Sequence, residues 1–223
     1  MNAPFDLSPI ATSLAHCSEI DDLAAIFGET VQIAVLPRAV DAAIAGYLAQ
    51  ALLSGRMGSG FRTVLRVGQY SDRSGLLDLP DLPGRDLLAN DLAALAELHG
   101  DLLGCEAVGL RLEVIERAMC PRFHVDRVGI RMLCTYRGPG TEWLDEVAAD
   151  RDYLGARSGG LPDEASGLIR DPLGVHAVPP FAVALLKGNL WQGNAGRGVI
   201  HRSPAVHVEQ APRVLVAIDA IWD

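Results

Sequence analysis

The sequence predicts an α+β fold, and three observations predict it. Two segments of the first half, 40–53 and 85–103, repeat apolar residues at the three-to-four-residue spacing of amphipathic helices. From Cys105 onwards the apolar period falls to two, which is the alternation of a strand with one buried face. Further short apolar runs after residue 180 add strands, so the second half is predicted to be mostly β.

The predicted elements follow one another with one long interruption. The predicted strands are 31–38, 61–67, 108–117, 124–136, 181–186, 198–201 and 213–222. Gly104 is predicted to end the second helix, because glycine readily adopts the left-handed conformation found there. Residues 137–180 are rich in Gly, Pro, Asp and Ser and are predicted to be an insertion with one helix at 143–153, serving as a lid or binding loop.

Composition bounds the class of protein. The 223 residues are 49% hydrophobic, which is enough for one generous domain, 1–223, with a sizeable core. The net charge of −9 disfavours a nucleic-acid partner, which usually requires a basic surface. No secretory signal and no membrane-spanning apolar run are recognisable, so we expect a cytoplasmic protein whose four scattered cysteines are free thiols. Oligomeric state leaves no signal in the sequence.

The segment "CPRFHVDRVGIRMLCTY" (120–136) contains the candidate metal ligands. In an extended chain residues i and i+2 point the same way, so His124 and Asp126 can converge on one point. A buried carboxylate there is tolerable if a cation neutralises it. One imidazole and one carboxylate make two thirds of a 2-His-1-carboxylate triad, and His201, at the end of a short apolar strand, is the best candidate for the third ligand.

The ordered set "HVD" (124–126), "CTYRGPGTEWL" (134–144), "LLKGNLWQGNAGRGVIHRSP" (185–204) and "PRVLVAIDAIW" (212–222) resembles the Fe(II)/2-oxoglutarate-dependent dioxygenases. The resemblance implies a double-stranded β-helix, or jelly-roll, over residues 105–223. Residues 1–104 would form a mixed α/β flank, with the N-terminal helices packed on one sheet. It also implies Fe(II) on the three ligands and 2-oxoglutarate as cosubstrate. More narrowly, the chain is similar to a bacterial family catalogued as a domain of unknown function, a resemblance that includes a link to zinc handling.

Cosubstrate contacts follow from the resemblance. In that superfamily a basic residue after the distal histidine binds the far carboxylate of the cosubstrate. Arg213 is the first candidate for this role and Arg202 the second, while Tyr136 is expected on the ligand face and Arg131 on the opposite face. The alternative is that Arg213 lies on the surface and forms an ion pair, without a role in cosubstrate binding.

The leading hypothesis is therefore an oxygenase that hydroxylates a small-molecule or peptide substrate entering under residues 137–180. The alternative is a non-catalytic jelly-roll protein that binds Zn²⁺ through the same ligands and serves zinc homeostasis, because Zn²⁺ binds such sites more tightly than Fe²⁺. A buried cation in the cavity would favour the oxygenase, since a storage or transfer site does not require one.

Overall fold

A computed structural model describes residues 13–68, 76, 78–207 and 211–222. Within these residues ten strands form two sheets. The strands are β1 Ser13–His16, β2 Val31–Leu36, β3 Gly60–Arg66, β4 Ala107–Ile115, β5 Ile130–Arg137, β6 Glu142–Leu144, β7 Val175–Ala177, β8 Val183–Lys187, β9 Ile200–Arg202 and β10 Arg213–Ile221. The large sheet has the order β1-β2-β8-β5-β10-β4-β3, and the small sheet has the order β7-β6-β9. Neighbouring strands are antiparallel except for the parallel pair β1–β2.

The α-helices are α1 Ala42–Leu53, α2 Arg85–Leu103 and the single turn α3 Asp163–Ser166. The side chain of Asp41 caps α1 by accepting hydrogen bonds from the amides of Ala43 and Ile44. Gly104 ends α2 in the left-handed conformation, as the sequence predicts. The buried faces of α1 and α2 belong to one hydrophobic core together with one face of the large sheet.

Strand alternation divides the large sheet into two faces with different partners. On β5, Met132 and Cys134 lie in the core that contains α1 and α2. Leu133, between them, lies in a second core with Trp143 of the small sheet and Leu215 of β10. The second core fills the space between the two sheets, and the candidate site lies beside it.

Three expectations require correction. Residues 137–180 are not an insertion with a helix at 143–153, since they supply β6 and β7 and several short 3₁₀ turns. The predicted strand 124–136 begins only at Ile130, because the preceding residues form a loop. The large sheet also crosses the boundary predicted at residue 104, since β1, β2 and β3 pair within it; residues 1–12 of the predicted flank lie outside the described residues.

Candidate metal centre and adjoining cavity

His124 and His201 are placed side by side by the main chain. The amide of His124 donates to the carbonyl of His201 at 3.0 Å, and the amide of His201 donates to the carbonyl of His124 at 2.9 Å. Residues paired in this way lie directly opposite one another and project their side chains to the same side. The two imidazole rings are accordingly 4.6 Å apart between centroids.

Asp126 is brought to the same point by a tightly packed loop. Its carbonyl accepts from the amide of Asn189 at 3.0 Å, so the turn after β8 holds the chain that follows His124. Gly198 lies so close to this chain that a β-carbon there would come within 2.4 Å of the Val125 side chain. Gly188 and Gly198 therefore permit close packing around residues 124–129, called here the ligand loop. Gly193 and Gly196 adopt positive φ angles, so the tight turning predicted for this stretch is observed.

The ligand atoms of His124, Asp126 and His201 all lie within 4.8 Å of one another. The Nδ1 atom of His124 lies 2.9 Å from the carbonyl oxygen of Arg122, and that of His201 lies 3.0 Å from the carbonyl oxygen of Val199. Because a carbonyl only accepts, each Nδ1 donates a proton to it, and each Nε2 faces the carboxylate of Asp126, at 3.5 Å for His124 and 3.3 Å for His201. Each Nε2 can donate to Asp126 when its ring is protonated, and it offers a lone pair to a metal when its ring is neutral. Two imidazole Nε2 atoms and one carboxylate fit a divalent transition metal with positions left open.

Neighbouring side chains keep the carboxylate of Asp126 negatively charged. Burial acts to raise its pKa, but hydrogen bonds with His124 and His201 and the charge of Arg131 hold the pKa well below its usual range. The hydrogen bond with Asp126 raises the pKa of His124. Asp126 is thus ionised at neutral pH, as a metal ligand must be.

Arg131 connects this carboxylate to β10. Its Nη1 donates to Oδ2 of Asp126, and its Nε and Nη2 form a bidentate pair with Asp219 at 2.8 Å each. The sequence placed Arg131 on the face opposite the ligands, and this prediction is wrong. The strand begins at Ile130, after the loop has changed the parity of the alternation, and a one-residue change moves a side chain to the other face.

Arg213 is buried in the same cavity without an acidic partner. Its side chain is among the largest that are fully buried, and the residue is 1% exposed. The guanidinium donates to the carbonyl of Pro139 at 2.8 Å and to the hydroxyls of Ser203, Thr135 and Thr141 at 3.3, 3.1 and 2.9 Å. Within the described residues no carboxylate lies at ion-pair distance from it. Burial lowers the pKa of Arg213 to about 10, and Glu113 opposes this shift only in part.

The other two candidate cosubstrate residues are differently placed. Arg202 lines the cavity, but its guanidinium is bonded to Glu142 at 2.7 Å and Glu164 at 2.8 Å. Tyr136 lies on the helix-facing side of the large sheet, where its hydroxyl donates to Asp91. The expectation that Tyr136 shares a face with the ligands is therefore wrong, for the same reason of parity that applies to Arg131.

The donors and Arg213 open onto one cavity of about 130 Å³. Leu133, Leu215 and Ala217 supply apolar wall between the two polar ends. Sequence reasoning missed Asp163, a buried carboxylate on α3 that accepts from the amide of Phe123 at 2.6 Å and so fixes the chain entering His124. Its position in the sequence, within a stretch without periodicity, carried no signal of this role.

None of the helices in the described part of the chain has the length and apolar composition of a membrane span.

Comparison with solved structures identifies the fold. The dioxygenase for auxin oxidation 1 from Arabidopsis thaliana, in a binary complex with 2-oxoglutarate, aligns with a TM-score of 0.53 and 12% identity over 95% of this chain and 93% of that chain. A full-length protein from Neurospora crassa, solved in complex with alpha-KG and 5-formyluracil, aligns with a TM-score of 0.50 and 11% identity over 99% of this chain and 87% of that chain. No curated protein sequence matches significantly.

These identities establish a common fold and nothing finer. The resemblance to the Fe(II)/2-oxoglutarate-dependent dioxygenases is confirmed at that level, and it implies a jelly-roll core within the mixed α+β architecture. The family described as "Protein of unknown function (DUF1826)" matches residues 17–219, nearly the whole length of the sequence. The chain belongs to the DUF1826 family and has the fold of the Fe(II)/2-oxoglutarate-dependent dioxygenases.

Proposed function

We propose that the protein is a non-haem Fe(II)- and 2-oxoglutarate-dependent oxygenase that hydroxylates a small-molecule or peptide substrate. The observation that carries the proposal is Arg213. A buried cation without a carboxylate partner is costly, and this one shares a cavity with the metal-ligand set. A ligand with a carboxylate at one end and metal-binding oxygens at the other would satisfy both ends of the cavity at once.

Each residue of the site has a role in this proposal. His124, Asp126 and His201 hold the metal and leave positions open for cosubstrate and O2. When bound, the iron supplies the activation of O2 that couples oxidative decarboxylation of 2-oxoglutarate, giving succinate and CO2, to insertion of the second oxygen atom into a C–H bond of the substrate.

The remaining residues prepare the cavity for the cosubstrate. The guanidinium of Arg213 presents a fork of donors that matches the far carboxylate of 2-oxoglutarate. Thr141 and Ser203, already bonded to that guanidinium, have hydroxyls that can also donate to the carboxylate. The apolar wall between Arg213 and the ligands excludes water, which strengthens these charge interactions.

The alternative, a metal-binding protein of zinc homeostasis, is less well supported. The same three ligands would hold Zn²⁺, but a storage or transfer site provides no reason to bury Arg213 without a counter-ion. Both metals fit the donor set, so metal content and cosubstrate binding must decide between the two functions.

The test combines metal analysis with cosubstrate binding. Protein purified without added metal is analysed for iron and zinc, then loaded with Fe(II) without oxygen and titrated with 2-oxoglutarate. We expect Arg213→Ala to weaken 2-oxoglutarate binding about 100-fold, the value of two charge-assisted hydrogen bonds, and to leave metal affinity nearly unchanged. Arg213→Lys retains the charge but lacks the fork of donors. Its affinity for 2-oxoglutarate should therefore lie between those of the wild type and Arg213→Ala.

Arg202→Ala is the matched comparison, because Arg202 lines the same cavity but is neutralised by its own carboxylates. It should alter 2-oxoglutarate affinity much less than Arg213→Ala. If the metal-loaded wild type does not bind 2-oxoglutarate, or if Arg213→Ala is silent, the oxygenase proposal fails. Zinc in the purified protein together with either result supports the metal-binding alternative.

A further inference from the structure

The arginines around the cavity are not equally satisfied. Four of them among the described residues line it, and three have been accounted for: Arg131 is bonded to two aspartates, Arg202 to two glutamates and Arg213 to neutral acceptors. The fourth, Arg111 on β4, makes no contact to an acid shorter than 3.4 Å. That contact is to Asp219, whose oxygens already accept two 2.8 Å bonds from Arg131.

Strand register places Arg111 on the floor of the cavity. Arg111 is paired with Ala217 of β10, and Ala217 is paired with Leu133 of β5, so the three side chains form a row on one face. The adjacent row joins Asp219 to Arg131, which contacts the ligand Asp126. β4 lies two strands, about 10 Å, from β5, and only the methyl group of Ala217 stands between them in this row. A small molecule held by Arg111 would therefore extend toward the metal ligands.

A second arginine faces Arg111 directly. Arg62 on β3 is its cross-strand partner, and like charges directly opposite one another are unfavourable. Glu113 is the one carboxylate within ion-pair distance of both among the described residues, at 3.7 Å from Arg62 and 3.8 Å from Arg111. At these distances Glu113 neutralises part of the charge but engages no N–H group in a hydrogen bond. The one acid that Arg111 donates to is Asp219, through Nη2 at 3.4 Å, so its other N–H groups can bind a ligand.

The two arginine side chains differ in exposure. Arg62 is 72% exposed and Arg111 is 27% exposed, so positive charge leads from the surface into the cavity. Arg66, four residues further along β3, lies on the same face as Arg62. Such a strip in a protein of net charge −9 attracts anions locally while the remaining surface repels them.

We propose that Arg111 is the substrate anchor and that the substrate is a small organic anion carrying a carboxylate or a phosphate group. The guanidinium fork would bind the anionic group at the floor of the cavity, and Arg62 would attract it from solvent. The cavity of about 130 Å³ limits the substrate to a small molecule. This inference rests on the proposed oxygenase function, since it assigns the substrate end of the same cavity.

The test measures binding, not turnover. Wild-type protein loaded with Zn²⁺ and saturated with 2-oxoglutarate is titrated with matched probes, followed by ligand-observed NMR. The probes are aliphatic and aromatic monocarboxylates of two to ten carbons, the corresponding primary amides, and organic phosphates of the same carbon skeletons. Saturating 2-oxoglutarate occupies Arg213, so the anions report on Arg111. We expect an anionic series to bind at least tenfold more tightly than its amides, and the stronger series identifies the anionic group.

Three variants sharpen the result. Arg111→Gln should remove the preference for anions, and Arg111→Lys should retain part of it. Glu113→Gln should tighten anion binding, because it removes a competing negative charge. Arg62→Gln should have a smaller effect that disappears at high salt, as expected of an exposed charge. Circular dichroism and retained 2-oxoglutarate binding establish that each variant is folded.

The outcomes are separable. If 2-oxoglutarate itself does not bind, the proposed function fails and takes this inference with it. If 2-oxoglutarate binds but amides equal anions, no probe binds, or Arg111→Gln binds anions like the wild type, then the substrate anchor is wrong and the oxygenase proposal stands.

Discussion

Gly188 and Asp126 lie so close that residue 188 has no room for a side chain. A β-carbon at position 188 would come within 2.8 Å of the carbonyl oxygen of Asp126 and within 2.3 Å of that of Val128. The same turn donates hydrogen bonds to the ligand loop through the amides of Gly188, Asn189 and Leu190. The position of the candidate metal-binding carboxylate thus depends on a glycine that bears no ligand atom.

Gly188→Ala is expected to displace the ligand loop. The added methyl group must push the backbone around Asp126 aside, so we expect metal affinity to fall at least tenfold and the free energy of unfolding to fall by about 1–3 kcal/mol. Gly46→Ala is the control, because a β-carbon at that helical position meets nothing within 4 Å. The control should be neutral or slightly stabilising. Unchanged Co²⁺ affinity in Gly188→Ala would contradict the role given to the turn.

Asp126→Asn is expected to remove most of the metal affinity. The amide retains the shape of the side chain but loses the negative charge that balances a divalent cation. Metal bound after dialysis, measured by mass spectrometry, should fall to background. Asp152→Asn removes the same charge from an exposed side chain and should retain full metal content. Retention of metal by Asp126→Asn would exclude the proposed ligand set.

Arg131→Lys is expected to disturb the metal site without touching the metal. Lysine keeps the charge but cannot bond Asp126 and Asp219 together as the guanidinium does. Partners of metal ligands typically contribute 10–100-fold to affinity, and we expect a loss in that range together with a changed visible spectrum of bound Co²⁺. Arg157→Lys, at an exposed ion pair, should leave both unchanged. An unaltered spectrum in Arg131→Lys would show that Asp126 is held by other contacts.

His99 on α2 should make stability depend on acidity. Burial lowers its pKa to about 4, and the charge of Asp219 only partly opposes the shift. In the unfolded chain the pKa of a histidine is near 6.5, so as the pH falls the ring of His99 is protonated first in the unfolded state. Folding stability is therefore lost between about pH 6.5 and pH 4. His99 is therefore expected to lower the free energy of unfolding by about 3 kcal/mol as the pH falls across that window.

The difference in unfolding free energy between His99→Leu and the wild type should therefore change with pH in this window, in favour of the variant at low pH. Urea titrations of metal-free protein at several pH values measure it. Leu173→Ala, at an exposed residue that does not titrate, should show a constant difference. A constant difference for His99→Leu as well would mean that the buried ring is protonated in the folded state.

The convergence of His124, Asp126 and His201 could be predicted because it depends on local information. The two-residue spacing brings the first pair together, and the later histidine lies at the end of a recognisable strand. Whether these residues bind a metal in solution stays a prediction. The side-chain partners that orient them could not be predicted: Arg131 finds Asp219 at a separation of 88 residues, and no periodicity records such a pairing.

The faces of β5 were predicted wrongly because alternation was counted through a loop. Counting from His124 to Tyr136 assumes an unbroken strand, and the loop before Ile130 reverses the parity. The helices α1 and α2 were predicted well, since their apolar spacing and caps are local. The pairing of early strands with late ones leaves no comparable signal in the sequence, so the resemblance implies only a flank for 1–104.

In the large sheet, strands from the first half of the chain are hydrogen-bonded to strands from the second half. This pairing limits where the protein can be divided. β2 covers the outer edge of β8, and β3 covers the outer edge of β4. A fragment starting at residue 105 would keep every candidate metal ligand. However, β8 and β4 would lose their outer neighbours and become exposed edge strands able to pair with neighbouring molecules. Such a fragment is expected to aggregate, so we expect the first hundred residues to protect the candidate site, although they contribute no candidate metal ligand.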